Sequence, residues 1–398
     1  MKTRPRRKHA RLAGIILAVA ILAGFSPGSA KEAWEPHPMG WISGPLEHVG
    51  LVPVDGGGAV GATIHEDLLY VSSWRSFSIY DISDPALPLP LSTVPLGPHL
   101  YNEQPDTNGE IAILTQDVPR SELQIWDVSD PTLPEKIATL PSGRSDHMWT
   151  CVLNCRYVYG GRGTIVDLKD PTSPEVVGDW STSARPNAYH AIEEVAPGII
   201  LTGSSPVFML DARKDPTNPR VGFSFMPKAD DNPSAIQNFN GPAPAAYLDW
   251  PQAKDRILLS ATESPFNVDC SEETGAFTTY DTKGWRQHRT PRYVEEYRLD
   301  PSEEPTYTNG RAPYNVVGCS PYTFATPPSY RKSRLVTVPW FEQGMRLLQV
   351  SKRGGIEELG GFIPTGGSSS SAIWVDNEIF YLIDLVRGLD VMRVTSED

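Results

Sequence analysis

One phrase recurs along this chain, and it restricts the possible folds more than any other feature. Residues 79–88 read IYDISDPALP, 125–134 read IWDVSDPTLP, 165–174 read IVDLKDPTSP and 209–219 read MLDARKDPTNP. Fainter copies centre on Asp281, Gln349 and Asp390, so the anchor positions are 81, 127, 167, 211, 281, 349 and 390, spaced by 46, 40, 44, 70, 68 and 41. A period near 40 to 45 made of short apolar alternations is the pattern of propeller blades, each a four-stranded sheet. Prolines in every unit and a period of two argue against helical repeats. The expected fold is therefore all-β, a seven-bladed β-propeller.

Within a unit, the strand at 77–81 alternates, and the Asp-Pro-x-x-Pro after it cannot donate to a ladder, so it reads as a turn. The repeated aspartate is expected to accept hydrogen bonds in that turn rather than to act as a catalytic or metal carboxylate. The seventh unit ends at Val394, four residues before the terminus, without its outer strand. The stretch 47–54, which precedes the first inner strand, is expected to supply it and close the ring. Closure leaves no open sheet edge, which is a liability for association with other chains.

The two long spacings imply insertions around 228–250 and 284–318, in the fifth and sixth blades. Four cysteines are present, and an even number in an exported chain favours disulfides: Cys151–Cys155 across a tight turn and Cys270–Cys319 stapling the second insertion.

Export itself is read from the first thirty residues. Lys2, Arg4, Arg6, Arg7, Lys8 and Arg11 form a basic segment, 12–25 is an apolar run, and Gly28-Ser29-Ala30 is a small-residue cleavage site. The expected domains are thus a signal peptide at 1–30 and a single propeller at 31–398, secreted or retained in the periplasm or cell wall. The apolar run is short of the roughly 20 residues a bilayer span requires, so no membrane span is expected after cleavage. Six of the 35 Lys and Arg but none of the 48 Asp and Glu lie before Lys31, leaving the mature chain near −19. Such a surface repels nucleic acid. Pro and Gly number 38 and 33, but 37 aromatic residues exclude disorder and make these residues turn punctuation.

The units resemble those of the LVIVD repeat family. The match is strong in the first four units, at 340–346 (WFEQGMR) and at 384–391 (DLVRGLDV). The resemblance implies a propeller and leaves the activity open, because propellers host enzymes and binding platforms alike.

Alignment of the units on their inner hairpin turns places candidate site residues. His147 lies seven residues before Asn154, and His190 seven before Pro197, so both are expected at equivalent places near the axis of adjacent blades. Tyr101 in blade two and Ser369 in blade seven are the counterparts. Asn187 and Asp146 join the expected ligand funnel, with His99 on the loop before blade two. Two neutral imidazoles facing one channel suit a transition metal such as copper or zinc, with His99 as a third ligand and Asp146 as a ligand or an orienting carboxylate. Hydrogen bonding to the backbone is the plainer role for both histidines, since a metal site takes three or more protein ligands as a rule. No nucleophile elbow, P-loop or dinucleotide fingerprint occurs. A glycosidase would require facing carboxylates, for which Asp230, Asp231, Glu263 and Glu342 are candidates. The favoured expectation is a monomeric extracytoplasmic binding platform for an unidentified protein or small molecule, using the funnel and the insertions. A metal-dependent enzyme, oxidoreductase or hydrolase, is the alternative.

Overall fold

A computed structural model describes residues 33–97, 100–101, 104–118, 122–141, 146–186, 188–227, 245–262, 275–288, 290–299 and 320–395. The leader at 1–30, most of both insertions, His99, Asn187 and the Cys270–Cys319 pair lie outside the described residues. Among the described residues, no helix is long and apolar enough to cross a membrane.

Seven antiparallel sheets succeed one another along the chain. Blade one takes its strands from 59–95, blade two from 100–141, blade three from 149–179 and blade four from 188–225. Blade five takes 245–297, blade six 335–364 and blade seven 369–394, and each runs from an inner strand outward. Within the two long spacings, Ala245–Asp249 is the inner strand of blade five and Arg292–Tyr297 its outer strand.

Blades pack face to face, so their middle strands are covered on both sides. Ile199–Ser205 is buried throughout, and Leu68–Ser73 is buried in all but its first residue. The alternation read from the sequence therefore does not become a wet and a dry face there. Outer strands such as Leu89–Pro95 carry the solvent-facing positions. The core is a series of wedges between neighbouring blades. Ile113, Leu123 and Ile125 of blade two meet Trp149, Val158 and Val166 of blade three, and Leu69, Val71 and Tyr80 of blade one meet Tyr381, Leu389 and Val391 of blade seven.

The Asp-Pro turns explain the repeat. Asp81 Oδ1 accepts from the Ser83 amide at 2.8 Å and its hydroxyl at 2.6 Å, and Asp127 does the same with Ser129 at 3.0 and 2.6 Å. The second aspartate repeats the device: Asp130 accepts from Thr132, Asp170 from Thr172 and Asp215 from Thr217. These donors favour the charged form and hold Asp81, Asp127, Asp130 and Asp170 below the usual carboxylate range. The capped turn then presents a carbonyl to the preceding blade. Tyr381 of blade seven donates to Pro85 O at 2.9 Å, Ser92 of blade one to Pro131 O at 2.7 Å, and Tyr159 of blade three to Pro216 O.

The N-terminal segment closes the ring. Leu46–Val52 pairs antiparallel with Gly388–Val394, from Leu46 opposite Val394 to Val52 opposite Leu389. A second contribution has no counterpart in the sequence reading: Gly40–Ser43 pairs with the outer strand Ile356–Pro364 of blade six, and Glu35–His37 adds a fifth strand to that sheet. The chain passes from one sheet to the next at Gly44, whose φ of +69° and approach to Leu359 O leave no room for a Cβ. A buried ion pair clasps the two ends. Asp390 Oδ1 lies 2.6 Å from Arg387 Nη2 and 2.7 Å from His48 Nε2, while Arg387 Nη1 donates to Met39 O at 2.9 Å. Asp390→Ala would leave Arg387 largely buried without its carboxylate. Chemical denaturation is expected to show a loss of about 3 kcal/mol, and an unchanged midpoint would contradict the clasp.

Candidate functional site

The inner strands run in one sense around the axis, so equivalent positions fall in layers. At the starting end, His147 just precedes the strand Trp149–Val152, and His190 lies within Ala188–Ala196. Their ring centroids are 4.7 Å apart at an interplanar angle of 68°. Both imidazoles are half-buried. Tyr322 reaches the same place: its phenol oxygen is 3.1 Å from His190 Nε2 and 3.4 Å from His147 Nε2.

Tyr322 arrives on a segment outside the repeat. Residues 320–326 run between the inner strands of blades six and seven, bonding to both. Tyr322 N donates to Pro339 O at 3.1 Å, Thr323 N to Ser370 O at 3.2 Å, and Ala325 exchanges bonds with Thr337. Phe341 lies 4.9 Å from the Tyr322 ring and holds a φ of +40° in a tight turn. A bulky residue seldom adopts that backbone, and here the turn bonds Gly344 N to Phe341 O (2.9 Å) and Ser369 N to Phe341 O (2.8 Å) hold it.

One layer further along, the axis is apolar. Met148, Ala191, Tyr247 and Phe324, from blades three, four and five and the extra segment, belong to a single buried cluster. Phe324 meets Tyr247 edge-on at 5.0 Å and Phe277 at 5.2 Å. The ring's centre is thus filled at this level.

Beyond the plug the axis turns acidic. Asp106, Glu193 and Asp249, from blades two, four and five, sit deep within the ring yet keep partial solvent contact. Burial pushes the Glu193 carboxyl well up, and the neighbouring Asp106 and Asp249 charges push it further. Burial likewise raises Asp249, to about 6, against the hydroxyl of Thr326 and the Trp250 amide, which favour its charged form. Asp106 is raised by burial despite accepting from Cys151 N at 2.7 Å and Thr150 Oγ1 at 3.2 Å. Such carboxyls hold protons that the unfolded chain has already released. Their stabilising protonation is complete below the unfolded value, near 3.8 for an aspartate, and is lost as pH rises through the folded value. Relative to wild type, Asp249→Asn is expected to gain in melting temperature progressively between pH 4 and pH 6.5. A difference that does not vary across that window would show that Asp249 is not burdened by its burial.

Of the remaining expected residues, some make contacts within the scaffold and others lie outside the described set. Asp146 is buried and accepts from the Arg162 amide at 2.6 Å and the Thr164 hydroxyl at 3.2 Å, so it braces the turn beneath His147. Ser369 is buried, and its hydroxyl donates to Asp384 at 3.3 Å. Tyr101 lies in the short strand Leu100–Tyr101, opposite Gln116. Glu342 is buried and accepts from the Ser368 hydroxyl at 3.2 Å, while Asp230, Asp231 and Glu263 fall outside the described residues. Cys151 and Cys155 form a disulfide across the inner hairpin of blade three. Among the described residues, no group of three or more His, Cys, Asp or Glu is placed to hold a metal ion. Sequence reasoning missed Tyr322 and the acidic layer. The aromatic alternation Tyr322-Thr323-Phe324 just ahead of an inner strand was the available signal for the first.

Comparison with known proteins agrees with this architecture. A family model described as the LVIVD repeat matches residues 56–93, the stretch that builds blade one. No curated protein matches the chain. Among solved structures it is similar to Raptor from Chaetomium thermophilum, with a TM-score of 0.56 at 12% identity over 92% of this chain. The matched region is 30% of Raptor, so this chain spans under a third of that protein, and the likeness is one of fold.

Proposed function

We propose that this chain is an exported, monomeric binding platform whose ligand docks at the histidine end of the axis. The carrying observation is the cluster of His147, His190 and Tyr322, which three separate parts of the chain bring to one mouth of the ring, above its apolar layer. Half-buried imidazoles and a phenol over an apolar floor suit recognition: the rings offer flat apolar area, and their polar atoms fix orientation. His190 lies on an inner strand, His147 just before one, and Tyr322 on a segment bonded into two blades, which limits the ordering that binding would otherwise require. The likeness to part of Raptor is one of fold and fits a scaffold of this kind within a larger protein.

Export is supported by the leader-like first thirty residues and by the Cys151–Cys155 disulfide, a bond that persists in oxidising compartments. Expression with the leader in a bacterial host, followed by intact-mass measurement, is expected to find an extracytoplasmic chain beginning at Lys31. Recovery of the full-length chain in the cytoplasm would overturn that part of the reading.

Docking at the axis is tested by filling it. His190→Trp is expected to abolish ligands or partners retained by wild type from envelope and medium extracts, while Val176→Glu on the exposed rim of blade three leaves them unchanged. Equal retention by wild type and His190→Trp would place the working surface elsewhere.

A further inference from the structure

We infer that His147, His190 and Tyr322 form a binding site for one transition-metal ion, copper(II) above others, with two imidazole nitrogens and a phenolate oxygen as donors. The geometry behind this is one phenol oxygen within reach of two imidazole nitrogens. Metal bonds to nitrogen and oxygen of about 2.0–2.2 Å place neighbouring donors roughly 2.9–3.5 Å apart at tetrahedral or square angles. The Tyr322 oxygen is 3.1 Å from His190 Nε2 and 3.4 Å from His147 Nε2, which are the edges of such a polyhedron. The two imidazoles come from adjacent blades, with ring centroids 4.7 Å apart.

The surroundings favour a fixed site. Tyr322 is buried, Phe341 backs its ring, and the segment carrying it is bonded into two blades. Met148 and Phe324 close the floor below with apolar atoms. The apolar floor lies on one side, and both imidazoles keep partial solvent contact, from which a water would come as the fourth donor. A mixed nitrogen and oxygen set favours copper(II) over the other divalent first-row metals. Tyr322 is a donor that the sequence reading did not name, and His99, expected there as a third ligand, lies outside the described residues. Binding releases the phenol proton and requires both imidazoles neutral, so affinity falls as pH falls.

The inference rests on the histidine end being the working face, yet it has its own test. The mature chain, stripped with a chelator, is titrated with copper(II) alone and followed by calorimetry, visible absorption and electron paramagnetic resonance. One tight equivalent is expected, with nitrogen hyperfine structure from two imidazoles and a phenolate-to-copper absorption band. His147→Gln and His190→Gln are each expected to weaken binding by at least ~100-fold, since loss of a mere supporting hydrogen bond already costs 10- to 100-fold. Tyr322→Phe keeps the ring volume, and with it the fold, and is expected to lose the absorption band while retaining the nitrogen hyperfine pattern. It carries the test should either Gln variant fail to fold.

His37 and His48, whose rings are 5.4 Å apart, are the competing imidazole pair. Copper binding that survives His147→Gln with His190→Gln and disappears in His37→Gln would overturn the assignment. So would the absence of a tight equivalent in wild type, or an unaltered absorption band in Tyr322→Phe. Failure of copper to bind, alongside loss of retained partners in His190→Trp, would remove the metal and leave the platform standing.

Discussion

The pairing of Leu46–Val52 with Gly388–Val394 makes every other contact in this molecule part of a ring. Bringing segments some 340 residues apart together costs about 5 kcal/mol of loop-closure entropy on a logarithmic scale. The wedge of Leu69, Val71, Tyr381, Leu389 and Val391 then becomes buried between blades seven and one. Each such side chain contributes about 1.5–3 kcal/mol on burial, so a few of them offset the closure. The continuation of the same segment onto blade six, through Gly40–Ser43, ties the penultimate sheet to the last. The clasp of His48, Asp390 and Arg387 sits where those two additions meet.

Closure also sets what the axis can be. Seven inner strands in one sense stack equivalent positions into layers, and the chemistry of each layer follows from which residues occupy it. The extra segment at 320–326 changes the middle layer, because Phe324 fills the centre and joins residues of blades three to six into one cluster. A through-channel is thereby divided into two mouths of opposite character. One holds imidazoles and a phenol, and the other holds Asp106, Glu193 and Asp249, carboxyls driven toward their neutral forms by burial.

Blade number, strand order and closing strand were legible because they rest on local signals: period-two apolar runs, Asp-Pro turns at a near-constant interval, and a last unit lacking its outer strand. Alignment on the inner hairpins set His147 and His190 at equivalent positions, and their rings lie together. What stayed illegible lacks a repeat to align. Glu35–His37 and Gly40–Ser43 resemble no unit, so nothing tied them to blade six. Tyr322 belongs to a stretch with no counterpart in other blades, and only the fold shows that it returns to the axis. Ser369 aligned with the histidines, yet it bridges Phe341 and its hydroxyl turns to Asp384.

Repetition and function separate on physical grounds here. A residue kept at every blade answers a need that every blade has, and the aspartates at 81, 127 and 167 answer one: each caps its own turn, leaving a carbonyl for the neighbouring blade. Where the context differs the same position changes partner. Asp281 is drawn down to about 2 mainly by Arg256, and Asp390 serves the terminal clasp. Groups that occur once carry penalties no scaffold requires: half-buried imidazoles, carboxyls lifted out of their usual range, and a Phe341 backbone at φ +40° that packs its ring against Tyr322. Strain and desolvation of this kind persist only where the surrounding structure over-determines them. In this ring the imidazoles with Tyr322 and the three carboxyls lie along the axis, where several blades can act on the same few atoms.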